Sequence, residues 1–145
     1  MKNENRNEGI LSITEGSESV FHPHCFACSH TTGDGLQLKF ENVGDRVVCR
    51  TTIDNRYQGY DGIVHGGIIS TLLDATMVLC LHEKFLLSPF TCKLEVHFVK
   101  SLPTGKRITI EAVAQRRIRN MCWAKGVIKC DEDIYAEGQG IFRLF

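Results

Sequence analysis

Between Ile68 and Leu81 almost every residue is apolar or small: Ile68, Ile69, Leu72, Leu73, Ala75, Met77, Val78, Leu79, Cys80 and Leu81. A run without a polar stripe, at helical length, describes a helix that must be buried inside the fold. The interruptions at Ser70, Thr71, Asp74 and Thr76 keep it short of the roughly 20 mainly apolar residues a membrane span needs. The rest of the chain therefore has to wrap this helix. Asp74 is the anomaly, because burying an unpaired carboxylate is costly. Three placements remain open for it: pairing with a buried Lys, Arg or backbone donor, lying on a wet side of the helix, or facing a cleft as a reactive group. Just ahead, His65-Gly66-Gly67 opens the helix. The first N–H groups of a helix have no intrahelical partners, and glycine has no Cβ to block an approaching ligand. Such an end suits an anion or a developing oxyanion.

The segments around the helix read as strands. Leu36, Leu38 and Phe40 alternate with Gln37, Lys39 and Glu41, a turn follows over 42–45, and Arg46 to Ile53 is rich in Val and Thr, which predicts a hairpin. After a break at Ser88-Pro89, Leu94, Val96 and Phe98 alternate with polar residues in a half-buried strand that ends in a Pro-Gly turn. Lys106 to Ile118, Met121 to Asp131 and Ile134 to Phe145 make three more strands. Two of these carry small residues on one face: Ala124 and Gly126 on one, Ala136, Gly138 and Gly140 on the other. Small residues there let another element come close. The expected fold is α+β, with an antiparallel sheet of five to six strands around one long helix in the order β-β-α-β-β-β-β.

At 145 residues the chain suits a single domain, 1–145, with a polar tail over about 1–20 that holds one apolar trio, Ile10, Leu11 and Ile13. The formal net charge is zero, so no pull toward nucleic acid is expected. MKNENRNEGI does not resemble a secretory leader, and the seven cysteines are an odd number. Reduced thiols in a soluble cytoplasmic protein are the expectation. Cys25 and Cys28 form a CxxC flanked by His22, His24 and His30, a set chemically suited to zinc. No second CxxC or HxxxH completes a tetrahedral set, so spacing alone assigns these residues as small buried thiols, with no metal.

The stretch YQGYDGIVHGGIISTLLDA, with Asp eight residues after the first Gly of HGG, resembles the hotdog-fold acyl-CoA thioesterases of the PaaI-like group. It more closely resembles the branch that includes the human thioesterase superfamily proteins. Cys25-Phe26-Ala27-Cys28 and the Gly35-Leu36-Gln37-Leu38-Lys39-Phe40 run are familiar from the same branch. The resemblance, which covers about Cys25 to the end, implies a hotdog fold and hydrolysis of a thioester to free acid and coenzyme A. By matching position it implies that the Gly66 N–H donates to the thioester carbonyl and that Asp74 is general base or nucleophile. It further implies that Thr91 orients the water, with Gly67 beside the substrate and His65 shaping the loop. Relatives often carry an Asn about six residues before the His; here Gly59 stands there, and Gln58 is the substitute polar contact. It also implies that no cofactor is needed beyond the coenzyme A of the substrate.

The chemistry agrees with that assignment, since a thioester needs an oxyanion donor and a base or nucleophile. On one straight helix Gly66 and Asp74 stand about 12 Å apart, too far to share one carbonyl. Two antiparallel copies bring them together, which predicts a homodimer with each site shared between chains; with the resemblance, further assembly into a tetramer is expected. Lys100 and the cluster Arg116, Arg117 and Arg119 are candidates to grip the phosphates of coenzyme A. Two other readings are an enoyl-thioester hydratase or dehydratase and a non-catalytic acyl-CoA-binding protein. Against the hydratase, His82 reads as a solvated C-terminal histidine favoured by the helix dipole rather than a catalytic one.

Overall fold

The computed structural model describes residues 22–31 and 33–145; the polar tail with Ile10, Leu11 and Ile13 lies outside the described residues. Its single long helix, α1, spans Gly66–Phe85. The strands are β1 (Phe40–Val43), β2 (Arg46–Thr52), β3 (Pro89–Phe98), β4 (Arg107–Ile118), β5 (Met121–Cys130) and β6 (Asp133–Leu144). They form one sheet in the order β1-β2-β4-β5-β6-β3, and every neighbouring pair is antiparallel. α1 lies against β2 through β6, so the wrapped-helix arrangement expected from the sequence is present, with six strands. No helix of the described residues is long and apolar enough to cross a membrane.

The inner face of the sheet is built by alternation. Ile108, Ile110, Ala112 and Ala114 of β4, Cys122, Ala124, Gly126 and Ile128 of β5, and Ala136, Gly138, Gly140 and Phe142 of β6 all point inward and are buried. The small residues do what their position suggested. A Cβ added at Gly126 would lie 3.2 Å from Leu73 Cδ2, and one at Gly138 would lie 3.1 Å from Leu73 Cδ1. Leu73 thus fills the space two glycines leave, and this seats the middle of α1 on the sheet. Adding a methyl group there overpacks the core. Gly138→Ala is expected to cost about 1–3 kcal/mol, read as a lower urea midpoint at unchanged slope.

Four local expectations need correction. The alternating run from Leu36 does not start a strand: Gln37 has φ 49, and Leu36 and Leu38 donate their N–H groups to Phe26 and Ala27 instead of to β2. β1 begins only at Phe40, although Leu38 and Phe40 are buried as the alternation predicted. The hairpin turn is tighter than 42–45. Val43 pairs with Arg46 around Gly44-Asp45, and Gly44 takes the positive φ that a two-residue turn requires. α1 is not covered on every side, because Ser70, Thr71, Asp74, Ala75 and Val78, spaced at three and four residues, form a half-buried stripe. Finally, His82 is buried and not solvated. Its Nδ1 lies 3.0 Å from the Leu87 carbonyl, while Leu86, with φ 55, caps the helix by donating to the His82 carbonyl.

Candidate active site

The half-buried stripe of α1 forms one wall of a cavity of about 530 Å3. The loop around Cys25 and Cys28 and the start of β3 close it on two other sides, bringing Phe26, Phe40, Phe90 and Leu94 to its lining. Asp74 sits in this wall. Thr91 Oγ1, at the bulged start of β3, donates to Asp74 Oδ1 at 2.7 Å. Two residues singled out from the sequence, 17 positions apart, are therefore in direct contact.

No Lys or Arg lines the cavity among the described residues. Among the described residues Asp74 has no cationic partner; its partner is a hydroxyl. Burial raises the Asp74 carboxyl above the ordinary carboxylate range, and the Thr91 hydrogen bond opposes part of that rise. A carboxyl in this setting is a better proton acceptor than a solvated one.

The helix start disposes of its N–H groups one by one. His65 is the N-cap: its Nδ1 accepts from Gly67 N–H at 2.8 Å, and its carbonyl accepts from Ile68 and Ile69. His65 is itself held by its N–H to the Tyr57 carbonyl at 3.0 Å. Gly66 alone keeps an N–H that no described residue accepts. The Gly67 N–H is spent on the cap, and the Gly66 N–H is the one left for another acceptor. Gln58 is also engaged: its Oε1 accepts from Gly62 N–H at 3.0 Å and ties the 58–62 turn that carries the chain into His65. Its amide nitrogen remains for another contact.

Phe98, which the sequence reading took as a buried strand position, is half exposed and stands beside the open donor. A Cβ on Gly66 would lie 3.4 Å from its ring. Nothing in the strand alternation marks Phe98 as different from Leu94 or Val96, because what distinguishes it is the loop it faces.

The cationic candidates divide between the two ends of the helix. Lys100 follows Phe98 at the Gly66 end, where its Nζ lies 3.4 Å from Asp133 Oδ1 and over the Tyr135 ring. Arg117 stacks on Phe85 at the other end, 5.2 Å from the ring centroid, and its Nε donates to the Arg119 carbonyl at 2.7 Å. Arg119, with φ 56, makes the β4–β5 turn. Arg116 stacks on Trp123 on the sheet surface. Within one chain, Gly66 and the Arg117–Arg119 turn are separated by nearly the full helix, about 28 Å.

A second cavity of about 510 Å3 lies over the strands at Arg46, Glu95, Glu111 and Glu137. It holds none of the candidate residues, and part of its charge is paired, Arg46 with Glu111 at 2.9 Å.

No curated protein matches the chain by sequence. Among solved structures, the thioesterase superfamily protein RHA08564 superposes with a TM-score of 0.75 at 20% identity, over 82% of this chain and 62% of that one, so the match spans less than two thirds of that protein. Zebra fish thioesterase superfamily member 2 superposes with a TM-score of 0.70 at 17% identity, over 76% of this chain and 83% of that one. The Streptococcus mutans protein smu.793, whose structure is bound to acetyl CoA, superposes with a TM-score of 0.69 at 17% identity, over 74% of this chain and 88% of that one. These likenesses establish the hotdog fold. The sequence model of the thioesterase superfamily matches residues 61–136, just over half of the chain and a span that includes Gly66, Asp74 and Thr91; the chain belongs to the thioesterase superfamily.

Proposed function

We propose that the protein hydrolyses acyl-CoA thioesters in a homodimer whose sites each combine Gly66 of one copy with Asp74 of the other. One observation carries this reading: at the start of α1 the Gly66 N–H is the one that no described residue accepts, on the helix that also presents a basic, half-buried Asp74 to an apolar cavity. The acyl group occupies the cavity beside Asp74. The carbonyl oxygen accepts the Gly66 N–H, which strengthens as negative charge develops on it. Asp74 takes a proton from the attacking water, or adds to the carbonyl itself, and the coenzyme A thiolate leaves. Thr91, donating to Oδ1, holds the carboxylate so that Oδ2 faces the substrate.

The dimer follows from distance. Gly66 and Asp74 are about 12 Å apart on one helix, and an antiparallel second helix with its two-fold axis beside Ser70 sets each Gly66 opposite the other Asp74. The half-buried stripe on α1 supplies the surface for that contact. β3 supports it as well, because among the described residues it pairs only with β6 and leaves the other side of its ten residues open. The same arrangement brings the Arg117–Arg119 turn of one copy toward the Gly66 end of the other, where the phosphates of coenzyme A would lie. Seven cysteines free of disulfides suit a reducing compartment such as the cytoplasm.

Purified protein offered a panel of acyl-CoA esters is expected to release free coenzyme A thiol. Water addition to an enoyl-CoA without thiol release would assign a hydratase instead, and binding without turnover would assign an acyl-CoA-binding protein. For the carrier half of the substrate, Arg117→Ala and Arg119→Ala are each expected to raise KM for acyl-CoA about 2- to 5-fold, the scale of exposed ion pairs. The effect grows at low salt and disappears with a truncated thioester that lacks the nucleotide. Equal effects on both substrates return Arg117 to packing on Phe85 and Arg119 to shaping the β4–β5 turn.

A further inference from the structure

Residues 22–29 coil through two turns, with Cys25 N–H donating to the His22 carbonyl at 3.2 Å and Ser29 N–H to the Cys25 carbonyl at 2.9 Å. Spacing of three residues per turn puts His22, Cys25 and Cys28 on one side of that coil. Their ligand atoms all lie within 4.8 Å of one another, the one such group of three or more among the described residues. Cys28 Sγ and His22 Nδ1 are 3.7 Å apart. In a zinc tetrahedron with Zn–S about 2.3 Å and Zn–N about 2.0–2.1 Å, S···N edges are about 3.5–3.6 Å and S···S edges about 3.8 Å. The loop is therefore set close to the span of a bound ion before any ion arrives.

It is also held there. Phe26 and Ala27 accept from Leu36 and Leu38, and Ala27 and Ser29 are buried. Gly35 passes so close that an added Cβ would fall 2.0 Å from the Phe26 carbonyl oxygen, so only glycine fits beneath the coil. The other cysteines are placed differently: Cys49, Cys80, Cys122 and Cys130 are core residues, and Cys92 lies on the exposed side of β3.

We infer that His22, Cys25 and Cys28 form a zinc site in the wall of the Asp74 cavity, with a fourth position left for water or another ligand. Two sulfurs and one imidazole select zinc over the hard cations, which take oxygen ligands. On binding, each thiol releases its proton to solvent and zinc takes both sulfur lone pairs. No further histidine completes the set: His30 Nε2 lies 3.2 Å from the Leu38 carbonyl, and His24 is exposed. Three protein ligands with one open position is the arrangement of zinc sites that keep a water, whereas structural sites are closed by four. All three ligands precede residues 61–136, so the site does not rest on the superfamily match or on the thioesterase reading.

The test is metal content and ligand spectroscopy on the full chain. Wild-type protein loaded with zinc and dialysed against a weak chelator is expected to retain one zinc per chain. The cobalt-substituted form is expected to show a sulfur-to-cobalt charge-transfer band with the intense visible bands of tetrahedral coordination. Cys25→Ser with Cys28→Ser abolishes both signals, Cys92→Ser leaves them unchanged, and His22→Gln weakens zinc by more than the roughly 10- to 100-fold that outer-shell partners cost. Loaded wild-type protein that keeps no zinc overturns the site without any variant having to fold. A cobalt charge-transfer band that survives the double Cys25/Cys28 replacement overturns it equally.

Discussion

Asp74→Asn is expected to abolish most thioester hydrolysis, lowering kcat by about 10²- to 10⁴-fold, and at the same time to raise the melting temperature at neutral pH. The two effects have one cause. The amide side chain of the variant keeps an oxygen that can accept from Thr91 Oγ1, so the wall of the cavity is preserved, but it can neither take a proton from water nor attack a carbonyl. Burial holds the Asp74 carboxyl above the ordinary carboxylate range, so folding favours its protonated form. The sign follows from that direction. The stabilisation is complete below the unfolded carboxylate value and is lost as pH rises through the raised folded value, above which Asp74 is ionised and poorly solvated. The melting temperatures of the wild type and the Asp74→Asn variant should therefore converge as pH falls through that range, while wild-type kcat/KM should rise with pH through the same titration and then level off. Near-normal turnover by Asp74→Asn removes Asp74 from the chemistry, and a melting temperature that falls at neutral pH contradicts the burial argument.

Gly66→Pro is expected to lower kcat by about 10²- to 10³-fold, the cost of losing one oxyanion donor, with little change in stability. Proline deletes the single N–H in question. It is tolerated at the first helical position, and His65, with φ −58 and ψ 137, already has the extended conformation that a residue before proline requires. The added ring must sit against Phe98, an exposed side chain free to move. This variant also tests the shared site. In a heterodimer of one Gly66→Pro chain and one Asp74→Asn chain, one site carries both lesions and the other carries neither. Activity should return to about half that of the wild type, since one of two symmetric sites is whole. A heterodimer as inactive as its parents would place Gly66 and Asp74 in the same site of one chain.

The central helix, its Asp, the glycine-led start and the sheet around it are legible in the sequence because each follows from local chemistry. Ile68 to Leu81 has to be buried, β4 to β6 alternate with period two, and HGG leaves helix N–H groups open. The contact of Thr91 with Asp74, the opening of one side of α1 and the burial of His82 are not local. They depend on where β3 returns against the helix and on how the chain folds back at Leu86, which no residue pattern within either segment encodes. The same holds for Gly67, whose N–H looks as open as that of Gly66 until the His65 ring turns to cap it. The loop from His22 to Ser29 shows the difference most clearly. Its CxxC alone is an incomplete ligand set, and only coiling of the backbone, fixed by Phe26 and Ala27 against Leu36 and Leu38, carries His22 to the two sulfurs. Sequence by itself determined which residue types were present and which elements they would build. The tertiary structure decided which of those residues meet, because the meeting partners lie on different elements and their distance is set by packing.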